Sequence, residues 1–170
     1  MLEAKPLSRQ CLLPGSCIYA RRRVQSVAMT DFSMREARPE DCAAILALWK
    51  ETGSGPSVTD TPEHLRMLTE RSQDLFLVAE AHNRLVGSVL GGWDNWRGHI
   101  YRLAVHPDYR RRGLARALTA EIERRLRAKG ARRIYALAST KNDTGVPFWE
   151  SLPYEKSKDL PFVRTFPEGE

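Results

Sequence analysis

A chain of 170 residues, 42% hydrophobic and 28% charged, has the makeup of one globular domain, which excludes wholesale disorder and a collagen-like fibre. It holds no run of about 18 apolar residues, so no membrane-spanning helix is expected. Lys+Arg 27 against Asp+Glu 21 leaves a net charge of +6, too mild to define a nucleic-acid binder but suited to an anionic ligand.

Residues 1–33 show neither a helical nor a strand period and carry Lys5, Arg9, Arg21, Arg22 and Arg23. Pro14-Gly15 interrupts the apolar Cys11-Leu12-Leu13, which spoils a signal-peptide core. The stretch reads as a disordered N-terminal extension or as sequence upstream of a start at Met34, with an organelle transit peptide as the alternative. The folded domain is expected over residues 34–170. Ser33–Ala37 forms a short first strand. Pro39-Glu40-Asp41 then opens a helix, since proline fits its first turn and acids suit its positive end; Ile45, Leu48 and Trp49 share one side until Gly53. Thr61 caps a second helix, with Pro62 at its first position and Leu65 and Leu68 on one side. Leu75–Ala79 is a buried strand, His82-Asn83-Arg84 a turn, and Leu85–Leu90 the antiparallel return. Gly91–Gly98 reads as a glycine-bounded aromatic loop before the strand His99–Val105. Leu114–Lys129 is the clearest helix: Leu114, Leu118, Ile122 and Leu126 repeat every four residues, and Gly130 stops it. A strand at Ile134–Ala138, a short helix at Asp143–Leu152 and a last strand at Phe162–Phe166 complete a mixed α/β, three-layer sandwich.

Cys11, Cys17 and Cys42 show no C-x-x-C spacing, and His64, His82, His99 and His106 form no H-E-x-x-H pair. Neither a disulfide framework nor a metal site is expected, and a reducing cytoplasm is the default compartment.

Leu103-Ala104-Val105-His106-Pro107-Asp108-Tyr109-Arg110-Arg111-Arg112-Gly113-Leu114-Ala115 carries the most information. It runs from a strand through a proline-broken turn and a cationic loop into a long helix. A helix start leaves main-chain N–H groups without partners and aims a positive dipole end at whatever sits there, which suits a diphosphate. Gly113 permits close approach, Ala115 keeps the first turn slim, and Arg110, Arg111, Arg112 and Arg116 add positive potential. The plainer reading is a solvated arginine run. Neither G-x-G-x-x-G nor G-x-x-x-x-G-K-[ST] occurs, which removes the main support for dinucleotide and nucleotide-hydrolysing readings.

Arg110-x-x-Gly113-x-Ala115, directly after Leu103, Val105 and Pro107, resembles the acetyl-CoA pattern Q/R-x-x-G-x-G/A of the GNAT superfamily of N-acetyltransferases. The resemblance extends from about Met34 to the C-terminus. It implies a three-layer α/β/α fold whose mixed, mostly antiparallel sheet splays between two central parallel strands. It further implies that amides from Arg111 through Leu114 to Ala115 hold the diphosphate of acetyl-CoA, while Leu103 and Val105 pair with the pantetheine arm as if it were a strand. Asn142, seven residues before Trp149, matches a pantetheine contact of the family; the alternative is an N-cap for the following helix.

Acetyl transfer to an amine needs the ammonium proton removed and the carbonyl polarised; the resemblance offers the Val105 N–H for the second task. His99, six residues before Val105, and Glu80 are the candidate bases, against plain roles as a strand start and a solvated strand end. Alternation places His99 on one face with Tyr101, Leu103 and Val105. In the family a tyrosine protonates the leaving thiolate; here Trp149 stands at that position and Pro153 replaces a glycine. Either no acid is needed, since a thiol of pKa about 8.5 leaves tolerably, or Tyr101, Tyr109 or Tyr154 substitutes, or the site binds acyl-CoA without turnover. Trp49, Trp93, Asp94 and Trp96 are candidates for the wall of the acceptor pocket. The expected function is an acetyl-CoA-dependent N-acetyltransferase acting on a small-molecule or peptide amine, with a non-catalytic acyl-CoA-binding module as the alternative. No nucleic-acid or membrane partner and no metal are expected, and a homodimer is admitted.

Overall fold

The computed structural model describes residues 31–54, 57–139, 142–159 and 161–165. Cys11, Cys17 and all but the last three residues of the expected extension lie outside them. In chain order come β1 (Ser33–Glu36), α1 (Cys42–Glu51), α2 (Pro62–Arg71), β2 (Phe76–Ala81), β3 (Arg84–Trp93), β4 (Gly98–Val105), α3 (Leu114–Ala128), β5 (Ile134–Ala136) and α4 (Gly145–Glu150). Single 3-10 turns occupy Pro39–Asp41, Gln73–Leu75 and Pro107–Tyr109. One sheet runs in the order β1-β2-β3-β4-β5, antiparallel except for the parallel pair β4–β5.

Local chemistry explains the elements. The Thr61 hydroxyl accepts from the His64 amide at 3.2 Å, and Pro62 fills the first position of α2. His82 and Asn83 both adopt positive φ, 50° and 59°, as a two-residue hairpin between Ala81 and Arg84 requires. In α3 the four-residue stripe Leu114, Leu118, Ile122 and Leu126 is buried against the sheet with Leu77, Ala79, Val89 and Ile100. Each such side chain is worth about 1.5–3 kcal/mol on removal from water. A second core lies under α1 and α2, where Ile45, Leu48, Trp49 and Leu65 meet Phe76, Val78 and Ala104. The sheet is thus sandwiched between helices.

Three expectations need correction. Gly91–Gly98 is not a loop. Gly91, Gly92 and Trp93 pair with Ile100, His99 and Gly98, so only Asp94–Arg97 turn. The glycines serve packing: a Cβ on Gly91 would stand 2.9 Å from Ile122 Cδ1, one on Gly87 3.0 Å from Leu118 Cδ1, and one on Gly98 3.2 Å from Leu126 Cδ1. They let α3 lie close on β3 and β4.

The expected last strand is absent from its described part. Residues 162–165 are non-strand, with Phe162 and Val163 exposed; Phe166 lies outside the described residues. Pro161 lacks an N–H donor at the entrance to this segment. Among the described residues β5 is therefore an edge, only three residues long.

Simple alternation along β4 also fails. Leu90 pairs with Tyr101 and Ser88 with Ala104, so β4 uses one residue more than β3 over this interval, and Arg102 takes φ 49°. This bulge separates the faces: Leu103 and Val105 pack with Ile100 on the α3 side, whereas His99 and Tyr101 stack together away from that core.

Candidate active site

Beyond Val105 the chain bends through Pro107–Tyr109 into α3. The His106 ring accepts from the Asp108 amide at 3.3 Å, Tyr109 N–H donates to the His106 carbonyl at 2.9 Å, and Arg110 N–H to the Pro107 carbonyl at 3.1 Å. Arg111 and Gly113 then take φ 60° and 83°, and such left-handed residues curl successive N–H groups into an anion-holding concavity. The first bond into α3 runs from Ala117 N–H to the Gly113 carbonyl at 2.9 Å; among the described residues no acceptor closes on the amides of Arg111 through Arg116. A Cβ on Gly113 would meet nothing within 4 Å, so glycine answers the backbone angle there and the space above it is open. Arg110, Arg111, Arg112 and Arg116 surround this row. Arg112 lies over the Tyr109 ring at 5.1 Å, and Arg116 donates to the Ser151 hydroxyl at 3.3 Å, tying α4 to α3. Unpartnered donors, a helix dipole and cationic neighbours fit a diphosphate.

Beside this row the sheet opens. β4 pairs with β5 only at Gly98–Ile134, His99–Tyr135 and Ile100–Ala136. Among the described residues the strand pairing of β4 with β5 stops at Ile100, and the Val105 carbonyl accepts from Arg110 Nε at 3.2 Å. An extended ligand can add to such an edge.

The α1/α2 face of the opening is held by a buried network that sequence reasoning missed. Trp49 Nε1 donates to Ser88 Oγ at 2.9 Å, and Ser88 Oγ donates to the carbonyl of bulge residue Arg102 at 3.1 Å. The Arg102 guanidinium lies over the Trp49 ring at 4.8 Å and is paired with Asp60 of the α1–α2 connection. The available signal was a lone serine within the otherwise apolar run Val86–Leu90, since a buried hydroxyl requires partners. Further toward the β3–β4 turn, aromatic and cationic groups form a ladder. Trp96, Arg97, Tyr135, His99 and Tyr101 follow one another at 3.8, 5.4, 5.7 and 5.7 Å between centres. Arg97 also donates to the Tyr135 hydroxyl at 2.6 Å. Burial, with Asp94 adding to it, raises the Tyr101 pKa and keeps the phenol protonated.

The three sequence candidates for proton transfer do not converge. His99 stands on the α1/α2 face, where β4 and β5 are still paired, with Nε2 at 3.8 Å from Asp94 Oδ2. Glu80 is on β2, two strands from β4, and accepts from Arg35 at 2.5 Å; Arg35 also bonds Asp41 at 2.6 Å. Tyr154 packs on the α3 side, edge-on to Trp149 at 4.9 Å, and donates to Glu123 Oε1 at 2.6 Å. Burial first, then Glu123, pushes its phenol well above the ordinary tyrosine range. Asn142 Oδ1 accepts from the amides of Thr144 and Gly145 at 3.1 and 2.9 Å in the turn before α4, whose N-cap is Thr144 rather than Asn142. Trp93 belongs to the α3-side core and Trp49 to the other, leaving Trp96 as the exposed indole of the expected acceptor wall.

A sheet with an interrupted parallel pair, next to a row of free amides, defines the architecture of an acyl-CoA N-acyltransferase. Residues 33–153 match the family model described as the acetyltransferase (GNAT) family. An acetyltransferase of Pectobacterium atrosepticum is 38% identical over 122 residues, which cover 72% of this chain and 86% of that one. An acetyltransferase of Photorhabdus laumondii is 38% identical over 123 residues, covering 72% and 85%. Among solved structures, Ard1 from Thermoplasma volcanium shares the fold with a TM-score of 0.64 at 20% identity, covering 71% of this chain and 80% of that one. The PaiA N-acetyltransferase of Thermoplasma acidophilum, solved with coenzyme A, gives 0.62 at 20% identity over 71% and 87%. The chain belongs to the GNAT family and is an acetyltransferase.

Proposed function

We propose that the protein moves an acetyl group from acetyl-CoA to a primary amine, on a small molecule or a peptide, by direct attack with donor and acceptor bound together. The observation that carries this reading is the amide row Arg111–Arg116, without an acceptor among the described residues, beside a β4 strand whose described pairing with β5 stops at Ile100. Acetyl-CoA supplies the acetyl group as a thioester. Arg111, Arg112, Gly113, Leu114 and Ala115 hold the diphosphate by main-chain N–H groups, with Arg110 and Arg116 adding charge. Leu103 and Val105 receive the pantetheine arm, and an N–H of that edge polarises the carbonyl.

The amine arrives across the α1/α2 face. His99 lies four residues before Leu103, about 13 Å by strand rise, beyond direct or single-water reach of an amine at that point, so His99 serves as base only to an amine held nearer the paired part of β4. Asp94 Oδ2 stands 3.8 Å from Nε2. The new bond joins amine nitrogen to acetyl carbon as the carbon–sulfur bond breaks. The thiolate needs no protein acid, in keeping with a Tyr154 hydroxyl committed to Glu123.

Calorimetric titration of acetyl-CoA, with thiol release on a panel of amines, tests the reading. Wild type is expected to bind and turn over. Gly113→Glu, with a far-ultraviolet melt as fold control, is expected to lose CoA binding because it puts an anion and a side chain into a φ 83° position. Unchanged affinity in that variant overturns the assignment.

A further inference from the structure

We infer that the end of the sheet, where the β3–β4 turn meets the α3–β5 connection, is a docking site for an acidic segment of a peptide or protein acceptor. The inference rests on the acetyltransferase reading and names the acceptor's chemistry.

An open pocket of about 460 Å³ lies at this place, lined by Trp93, Trp96, Arg97, Lys129, Arg132 and Arg133, together with Asn95 and Gly130; no carboxylate lines it. Its cations are not equally satisfied. Lys129 is paired with Asp74 at 2.6 Å, and Arg133 has Asp159 only at 4.0 Å. The Arg97 guanidinium donates to a phenol while its amide donates to Asp94 Oδ1 at 2.6 Å, and neither the Arg97 nor the Arg132 guanidinium has an ion pair within 4.0 Å among the described residues. The carboxylates nearer the opening carry their own arginines, Asp60 with Arg102 and Glu80 with Arg35, and Asp94 on the β3–β4 turn accepts from the amides of Trp96 and Arg97. A polycationic acceptor therefore meets uncompensated positive charge at this end of the sheet and few open carboxylates above it.

Distance selects the size of the ligand. From Leu103 back to Gly98 is about 16 Å by strand rise, so a small amine cannot sit in the opening and touch Arg132 as well. An extended peptide with its amine at the opening brings roughly its fifth to seventh residue there. The ladder forms the floor of that path. Its rings are already faced by one another and by guanidinium groups: Arg97 covers Trp96, and Tyr135 lies between His99 and the arginines 97 and 133. The inner rings have no open face for a nucleobase, whereas guanidinium edges suit carboxylates. These observations favour an acidic peptide over a single-stranded nucleic acid.

The experiment uses the full chain, with ten-residue peptides bearing a free amine and Glu, Ala or Lys at positions five to seven. Acetylation kinetics are measured alongside fluorescence anisotropy of the labelled peptides. The Glu peptide is expected to bind about tenfold more tightly than the Lys peptide, with a matching fall in KM, little change in kcat, and weakening as salt rises. Arg132→Glu/Arg133→Glu, at two exposed positions, is expected to erase the preference while leaving CoA affinity and turnover of a two-residue amine unchanged. Equal binding of all three peptides, or a preference surviving the double variant, overturns the inference. So does preferential binding of single-stranded RNA that the same variant abolishes. Absence of turnover on every amine with intact CoA binding refutes the acceptor reading instead, and anisotropy still decides the docking site.

Discussion

Ser88→Ala is the most informative single perturbation of the opening. Ser88 and Trp49 are 0% and 3% exposed, so removing one hydroxyl strands the indole N–H in the core and takes a donor from the Arg102 carbonyl. A buried orphan donor costs about 1–3 kcal/mol, and the second lost bond about 1 kcal/mol. No methyl-sized void results, because only an oxygen leaves. The expected loss is roughly 2–4 kcal/mol, read from the urea midpoint at constant slope. Because the same hydroxyl pins the bulge that bends β4, the KM for acetyl-CoA should rise more than it does in variants of equal instability made elsewhere in the core. Trp49→Phe should show coupling with Ser88→Ala in a double-mutant cycle, since both break one chain of bonds. A loss under 0.5 kcal/mol, or strictly additive effects, would refute the view that this network fixes the bulge.

Gly91→Ala should cost about 1–3 kcal/mol by thermal or urea unfolding, because its Cβ collides with Ile122 at 2.9 Å; a neutral result would mean α3 can lift without penalty. Tyr154→Phe should lower stability by about 1–2 kcal/mol through the lost bond to Glu123 yet leave kcat within twofold, and a large fall in kcat would restore this tyrosine as a proton donor. The Asp41 carboxyl is held below its ordinary range: burial opposes ionisation, but bonds from Arg35 and the Arg38 amide outweigh it. Glu121, bonded by Arg124 and Arg125 against some burial, titrates near about 2. Both carboxylates are therefore more acidic folded than unfolded, so their stabilisation is complete above about pH 5 and is lost as pH falls through the lowered values. Asp41→Asn should flatten that acid limb in urea titrations between about pH 4 and 2, and an unaltered limb would assign it elsewhere.

Much of the architecture was legible because it follows from periodicity and end chemistry. The α3 stripe, the Thr61-Pro62 start of α2 and the His82-Asn83 turn each obey a local rule, and local rules survive folding. The Arg110–Ala115 segment was legible for the same reason, since a helix start carries its unpaired amides whatever surrounds it. What stayed hidden depends on tertiary contact. Gly91 and Gly98 resemble chain breakers until α3 is laid across them. Phe162 and Val163 have strand composition, but composition alone supplies no partner edge. The bulge at Arg102 leaves no mark on the hydrophobic pattern of β4, so the face shared by His99 and Tyr101 was extended too far, to Leu103 and Val105. The partners of Glu80 and Tyr154 were hidden for a related reason: sequence gives a carboxylate or phenol its place along the chain but not the arginine or glutamate that engages it.

The surplus residue in β4 gives the molecule an unusual economy of length. Between the partners of Leu90 and Ser88, β3 takes two steps and β4 three. Excising Arg102 would even the count and keep Ile100, Leu103 and Val105 turned toward α3. It would also remove the carbonyl that the buried Ser88 hydroxyl engages and the guanidinium that lies over Trp49. In this chain a single surplus amino acid joins the middle strand to the helices that cover it.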